Sequence, residues 1–388
     1  MFKKKSPSLI TGILLAALPV LTRAEYSFNL PEAVTPLARD TMRVHNEFML
    51  IIIALFLAAL GIMVYSLVKH RRSRGYKPAA FTKPGTRAQW LWVIAPFVGL
   101  LIIDYVVIGI PAYHAAATME DTRTDADMVL KVTASQWKWQ YEYPEEGIKF
   151  VSMLATPKDQ ISNRAPKGEN YLLEVDNPVV LPVGKKVRVL IMSTDVIHGW
   201  WVPAFGVKRD AVPGFLRETW MKIEKPGVYR GQCSQLCGRE HAFMPIVVEA
   251  VSPDQYAQWV ARKKGETAKV AAAAGKVWTK DELTRQGRGV YDKICAACHQ
   301  PNGKGIPGAF PALAGSKIVN GPFVDMNGRL IKDGHLDRVM NGKPGTAMQA
   351  FKNTLSDADI AAVATYERNS FGNNMGDTVQ PALVKSLR

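Results

Sequence analysis

Two apolar stretches constrain this chain more than anything else in it. FMLIIIALFLAALGIMVYSLV (48–68) and WLWVIAPFVGLLIIDYVVIGI (90–110) each supply the run of about 20 apolar residues that a helix needs to cross a bilayer. Between them, residues 69–89 carry Lys69, Arg71, Arg72, Arg74, Lys77, Lys83 and Arg87 and no acid. Such a loop stays on the cytoplasmic side, so everything after residue 111 is expected outside, which in a Gram-negative cell is the periplasm. A shorter apolar run lies within residues 1–24, behind the basic start MFKKK and before TRA. This reads as a signal peptide cut after Ala24, rather than as a third membrane helix. Asp104 sits inside the second apolar stretch and is expected to face protein or water, not lipid.

The chain has 388 residues and a net charge of +15, enough length for two or three domains. Much of the positive excess lies in KHRRSRGYK and ARKKGETAKVAAAAGKVWTK, a membrane-side loop and a linker. Neither run interleaves aromatics, so no nucleic-acid partner is expected. The four cysteines fall into two tight pairs, Cys233/Cys237 and Cys295/Cys298. Pairs so local cannot staple a large fold, and each is followed by a histidine, so metal or haem chemistry is the better reading.

From about residue 127 the pattern becomes alternating strands with Pro/Gly turns, as in DMVLKVTASQWKWQYEY and GKKVRVLIMST. An antiparallel β-sandwich or barrel of about 125 residues is expected. GQCSQLCGREHAFM (231–244) joins two late strands and places Cys233, Cys237, His241 and Met244 together; His198, in DVIHGWWVP, follows another strand. Two cysteines and two histidines would also suit zinc. Met244 favours copper, because a thioether is a poor zinc ligand and a workable weak donor to copper.

IHGWWVPAFGVKRDAVPGF followed by GQCSQLCGREHAFMPIVVE resembles the periplasmic domain of cytochrome c oxidase subunit II, with its dinuclear CuA copper centre. The resemblance extends over roughly residues 25–252 and includes the two membrane helices and the basic loop. It implies a cupredoxin-like fold, with Cys233 and Cys237 bridging two coppers and His198 and His241 binding one each. It further implies Met244 as a weak ligand on one copper and the backbone carbonyl of Gln235 on the other. By the same resemblance Trp137, in SQWKWQYEY, corresponds to the tryptophan that admits electrons, and Asp210 falls in a loop facing the catalytic subunit. Trp139 is expected to pack the fold. Two positions depart from the family. Gln235 stands where glutamate usually helps hold magnesium, and Gln89 where a glutamate usually marks a proton path. An amide is the weaker donor to a hard cation, which puts magnesium binding in doubt, and the departure at Gln89 puts the proton-path role in doubt as well.

Residues 253–280 read as a charged, Ala-rich tether, in part helical. Beyond it, CAACH is the Cys-x2-Cys-His motif of haem c attachment, with Cys295 and Cys298 as the thioether positions and His299 as an iron ligand. Met348, in NGKPGTAMQAF, is preferred over Met340 as the sixth ligand. The Pro311 carbonyl is expected to accept the His299 ring N–H. Residues 281–372 resemble a class I cytochrome c, a small all-α domain whose first and last helices pack through Tyr291 and Tyr366, followed by a tail over 373–388.

The expected whole is a multidomain membrane protein. It comprises a signal peptide (1–24), an N-terminal segment and hairpin (25–126), a CuA domain (127–252), a tether and a cytochrome c domain. Every soluble part handles single electrons, and no cleft for an organic substrate is evident. The reading is subunit II of a terminal oxidase, anchored in the bacterial inner membrane with its C-terminal domains in the periplasm. It would pass electrons from haem c to CuA and on to a haem–copper catalytic subunit I that reduces oxygen and translocates protons. Expected partners are that subunit and other oxidase subunits, membrane lipid, and a periplasmic donor (a cytochrome or cytochrome bc complex). The CuA and haem c subunit of a nitric oxide reductase is the alternative. A copper chaperone has no use for covalent haem, and a quinol-oxidase subunit would lack the copper ligands.

Overall fold

The structure is a computed structural model that describes residues 29–77, 87–273 and 275–388. The signal segment expected over 1–24, and Lys83 of the basic loop, lie outside those residues.

Helix α1 (Pro36–Lys69) begins well before the apolar run at residue 48. Thr35 caps it, accepting from the Ala38 N–H at 3.0 Å while donating to the Phe205 carbonyl at 2.7 Å, and Pro36 suits the first helical position. Leu37 and Ala38 are buried against the soluble domain, so the helix is rooted there before it enters the membrane. The second rod comprises α2 (Arg87–Leu101), a wide-turned stretch over Ile102–Gly109, and α3 (Ile110–Glu120). Pro111 has no N–H to donate, which interrupts the regular ladder at the end of the wide turns. Beyond α3, Glu218 accepts from Thr122 at 2.8 Å, Arg123 at 3.2 Å and Arg188 at 2.7 Å, tying the end of the rod to the soluble domain. Both rods expose their apolar side chains along the membrane stretch, as lipid or neighbouring subunits require.

The soluble domain that follows is a two-sheet sandwich. One sheet orders β1 (Met128–Ser135), β2 (Lys138–Tyr143), β3 (Ile148–Ser152), β5 (Lys186–Ser193) and β8 (Arg217–Lys222) as β3-β2-β1-β5-β8. The other orders β4 (Val179–Pro182), β6 (His198–Val202), β7 (Val207–Ala211), β9 (Gly227–Cys233) and β10 (Pro245–Val251) as β4-β10-β9-β6-β7. Two pairings, β1 with β5 and β4 with β10, are parallel, which corrects the purely antiparallel expectation. Alternation along a strand reports which face is buried, not which neighbour it has. Leu130, Val132 and Ala134 of β1 and Trp139, Tyr141 and Tyr143 of β2 point inward and are fully buried.

A short helix α4 (Lys158–Ile161) lies in the β3–β4 connection. The stretch read as a tether is in part helical, as expected, but it is not free of the sandwich. Residues Pro253–Ala273 form helix α5, and its Trp259 and Val260 join the sandwich core. Tyr256 and Trp259 lie one turn apart, and Trp259 packs on Tyr143 at 5.1 Å. That spacing places them on one face of the helix.

The C-terminal domain packs α6 (Lys280–Val290) across α9 (Asp357–Arg368), with α7 (Ala296–His299) and α8 (His335–Asn341) between them. Capping boxes at Thr279/Glu282 and Ser356/Asp359 start both long helices. Gly287 permits the crossing, since a Cβ there would lie 2.0 Å from the Ala362 carbonyl oxygen. Tyr291 and Tyr366 meet at 5.5 Å, as the two aromatic positions required. The segment expected as a tail instead carries α10 (Pro381–Ser386), and Val379 and Val384 are wholly buried in this domain's core. Apolar residues spaced too sparsely to show a period still bury when the fold brings a cavity to them.

Candidate redox sites

Cys233 is the last residue of β9, and the chain returns through β10 from Pro245. The loop between is pinned at its base, where the Cys233 N–H donates to the Met244 carbonyl at 3.0 Å and the Ser234 N–H to Gly199 at 2.9 Å. These bonds turn both cysteine side chains toward His198, the buried first residue of β6. The two sulfurs stand 3.8 Å apart, too far for a disulfide and suited to two thiolates facing a common metal position. Cys233 Sγ lies 4.0 Å from His198 Nδ1 and 3.3 Å from the Gln235 carbonyl, and Cys237 Sγ lies 3.5 Å from His241 Nδ1. Met244, also buried, closes the loop.

The electrostatics of the thiol pair call for a cation. The hydrogen bond with Cys237 pushes the Cys233 thiol down, and the same bond to Cys233 pushes the Cys237 thiol up. Two thiolates held this close would repel, and a bound metal cation would relieve that repulsion. The remaining donors are two imidazoles, a carbonyl and a thioether, a set that fits copper.

Around this set runs a second layer of bonds. Asp195 Oδ1 lies 2.9 Å from His198 Nε2, which leaves Nδ1 toward the sulfurs. Burial alone would raise the Asp195 carboxyl, but the His198 bond and the Gln136 and Val196 N–H groups hold it below its ordinary value. The Cys237 carbonyl accepts from Gln136 Nε2 at 2.9 Å and from the Trp137 indole N–H at 3.2 Å. Half-buried Trp137 is thus bonded directly to the cysteine loop, while Trp139 is fully buried with its ring 6.2 Å from that of His198.

The second site is a cavity of about 320 Å³ whose lining includes Cys295, Cys298, His299, Pro311 and Met348. His299 Nδ1 lies 2.9 Å from the Pro311 carbonyl, so Nε2 is the ring nitrogen available to a metal. Met348 borders the cavity from a loop, whereas Met340 on α8 is packed into the helical core. A largely apolar space with two cysteines, a histidine and a methionine on its walls fits haem c. Two further lining residues, Gln136 and Lys138, belong to the sandwich.

Comparison with known proteins follows the same division. The family model for the periplasmic domain of cytochrome c oxidase subunit II matches residues 128–251, and that for its transmembrane domain matches 23–111. The model for subunit III of cbb3-type cytochrome c oxidase matches 282–366. Cytochrome c oxidase subunit 2 of Cereibacter sphaeroides is 36% identical over 249 residues, which cover 61% of this chain and 80% of that protein. The chain belongs to the cytochrome c oxidase subunit II family. The subunit 2 of Oenothera berteroana is 37% identical over 235 residues, covering 59% of this chain and 87% of that one. A solved structure of the periplasmic domain of subunit II from Bradyrhizobium japonicum is 44% identical, covers 36% of this chain and 96% of its own, and superposes with a TM-score of 0.33.

As a subunit II with a cytochrome c domain, the chain is part of an oxidoreductase complex and supports electron transfer in a terminal oxidase. The family implies CuA copper, haem c and a subunit I partner, with membrane anchoring through the two apolar helices. Of the positions singled out in this subunit II, His198, Cys233, Cys237 and His241 lie side by side. Asp210 lies on strand β7 opposite Gly199 rather than in a loop, because β7 pairs with β6 up to His198. Gln89 lies near the start of α2, and Asp104 is exposed on the wide-turned stretch. Sequence reasoning missed Asp195, Gln136, Lys138 and Gln349. Asp195, three residues before His198 in a tight turn, had a local signal; Gln349 had none beyond following Met348.

Proposed function

We propose that this subunit receives electrons from a periplasmic donor, a cytochrome or a cytochrome bc complex, and relays them to subunit I, where oxygen is reduced and protons are translocated. In this reading Cys295 and Cys298 attach haem c, and His299 and Met348 hold its iron. His198, Cys233, Cys237, His241, Met244 and the Gln235 carbonyl hold the two coppers. The two groups supply one-electron acceptance and release; all else is the work of the chain. The Pro311 carbonyl orients His299, and Asp195 orients His198. Strands β6, β9 and β10 hold the copper ligands in one frame, so little rearranges when the charge changes. Trp137 donates to the Cys237 carbonyl and is the residue through which electrons reach the copper loop. The assignment extends to cleavage after Ala24 and to an inner membrane location with periplasmic C-terminal domains, the sandwich domain continuing into α5 and the cytochrome domain through α10. Exposed Asp104 faces a polar group of a neighbouring subunit, since an acid at membrane depth needs a partner.

The observation that carries this reading is the side-by-side approach of two thiols and two imidazoles at 3.5–4.0 Å on one β-frame. The test is to purify the oxidase assembled around this chain and measure metal, haem and electron spin resonance. One covalent haem and two coppers per chain are expected, counted beyond the copper of the haem–copper catalytic subunit, with a mixed-valence signal shared over two nuclei. A single zinc, or a copper signal confined to one nucleus, overturns it.

A further inference from the structure

The cytochrome domain rests on the sandwich, and the contact centres on one side chain. The Gln349 amide accepts from Lys138 Nζ at 2.7 Å and donates to Asp195 Oδ2 at 2.9 Å and to the Gln136 carbonyl at 3.0 Å. Its neighbours across the interface are thus the residues on either side of Trp137 and the carboxylate that orients His198. Arg239, on the cysteine loop, donates to the Ala297 carbonyl inside CAACH at 3.0 Å. Lys158 donates to the Asp292 carbonyl at 3.2 Å, and Lys293 lies 3.9 Å from Asp176.

Lys138 is the unusual member of this set. It is 5% exposed and lines the haem cavity from the sandwich side. Its Nζ lies 5.0 Å above the ring of Phe351, and no described carboxylate approaches within 4.0 Å. The cytochrome domain itself supplies that burial, and the Gln349 amide oxygen is the acceptor that offsets part of the cost of desolvating the cation. Burial holds its pKa down to about 8. Within the docked pair it faces a cavity built for a redox group.

We propose that the copper domain completes the haem pocket, with Gln349 as the clasp that seats the cytochrome domain and Lys138 as a cation supplied to the cavity from across the interface. The proposal rests on the haem and copper assignments above and adds the way the two sites are coupled. Beside the contact of Trp137 with the copper loop, a second link runs from Met348 to His198 through one peptide bond, the Gln349 side chain and two hydrogen bonds of the Asp195 carboxylate. The step served is a transfer of one electron from reduced haem iron to the oxidised copper pair, with no bond made or broken and no proton moved. A covalent linker keeps the two domains at high local concentration, and the clasp selects one orientation among those the linker allows. Because the residues flanking Trp137 are held by the cytochrome domain, an outside donor delivers its electron to the haem rather than to the copper face.

The test uses the assembled oxidase. The haem is reduced by a flash from a photoexcited one-electron donor, and the copper absorbance is followed. Gln349→Ala removes three hydrogen bonds at the contact and is expected to slow haem-to-copper transfer roughly tenfold or more. Gln349→Glu loses both N–H donors and sets a carboxylate against Asp195 while keeping the acceptor for Lys138, so it is also expected to slow the transfer. Lys138→Met removes a positive charge that favours the reduced haem, and is expected to shift the haem potential to lower values. In all three the methionine–iron charge-transfer band and the copper spin signal stay as in the parent protein, and in the two Gln349 variants the donor-to-haem rate does too. Unchanged transfer in both Gln349 variants, or an unchanged potential in Lys138→Met, overturns the proposal. Absence of the band or of the copper signal from the parent oxidase overturns the underlying function instead.

Discussion

The copper loop and the haem cavity both arise from short cysteine motifs, yet the fold builds them in opposite ways. The copper ligands hang on adjacent strands of one sheet, and backbone bonds from Ser234 to Gly199 and from Cys233 to Met244 fix where they stand. The haem cavity draws its walls from CAACH, from the loop carrying Met348 almost fifty residues on, and from a second domain. A site on one β-frame depends mainly on its own sheet. A site spread over loops and an interface depends on everything that keeps those parts together.

Variants can break this contrast or sharpen it. The largest effect is expected from Cys237→Ala, which should abolish both the copper spin signal and oxygen consumption while the haem spectrum persists. If the haem spectrum failed too, the two sites would not be separately built. Next, Met348→Ala should lose the methionine–iron charge-transfer band. Met340→Ala should keep the band and destabilise the helical domain by about 2–5 kcal/mol, as for a buried methionine cut back in a core, measured by denaturant unfolding. The reverse result would exchange their roles.

Asp195→Asn keeps the shape but weakens the acceptor for His198. It should lower copper affinity by roughly 10–100-fold, measured by competition with a chelator, without touching haem attachment. The smallest effect concerns how the copper domain is rooted to the membrane rod. Bonds from Arg188, then Thr122, hold the Glu218 carboxyl down at about 2, from an ordinary 4.5. Its folded value is depressed, so its contribution is fully present above pH 4.5 and lost as pH falls toward 2. Glu218→Gln should therefore flatten the acid side of the thermal stability profile over that window and leave neutral-pH electron transfer unchanged.

Much of this was legible in the residues alone, for reasons particular to each element. The membrane rods announce themselves because hydrocarbon tolerates little else, although the start of α1 was missed. Its first turn is buried against Phe205, a residue far along the chain. Helix α5 was read as a tether because its Ala and Lys content outweighs the single face formed by Tyr256, Trp259 and Val260. The parallel pairings of β1 with β5 and β4 with β10 were invisible, since alternation is the same whichever way the neighbouring strand runs.

What the sequence determined by itself are the features whose parts are neighbours in the chain. These are the membrane crossings, the cysteine loop and the haem attachment motif, where fixed spacing along a short backbone dictates which side chains can meet. Only the tertiary structure decided that Met348 borders the cavity while Met340 packs the core, that Asp195 stands behind His198, and that Lys138 and Gln349 join the two domains. Those pairs come from elements brought together by packing. A single glutamine or lysine carries no periodicity that would reveal where packing will put it.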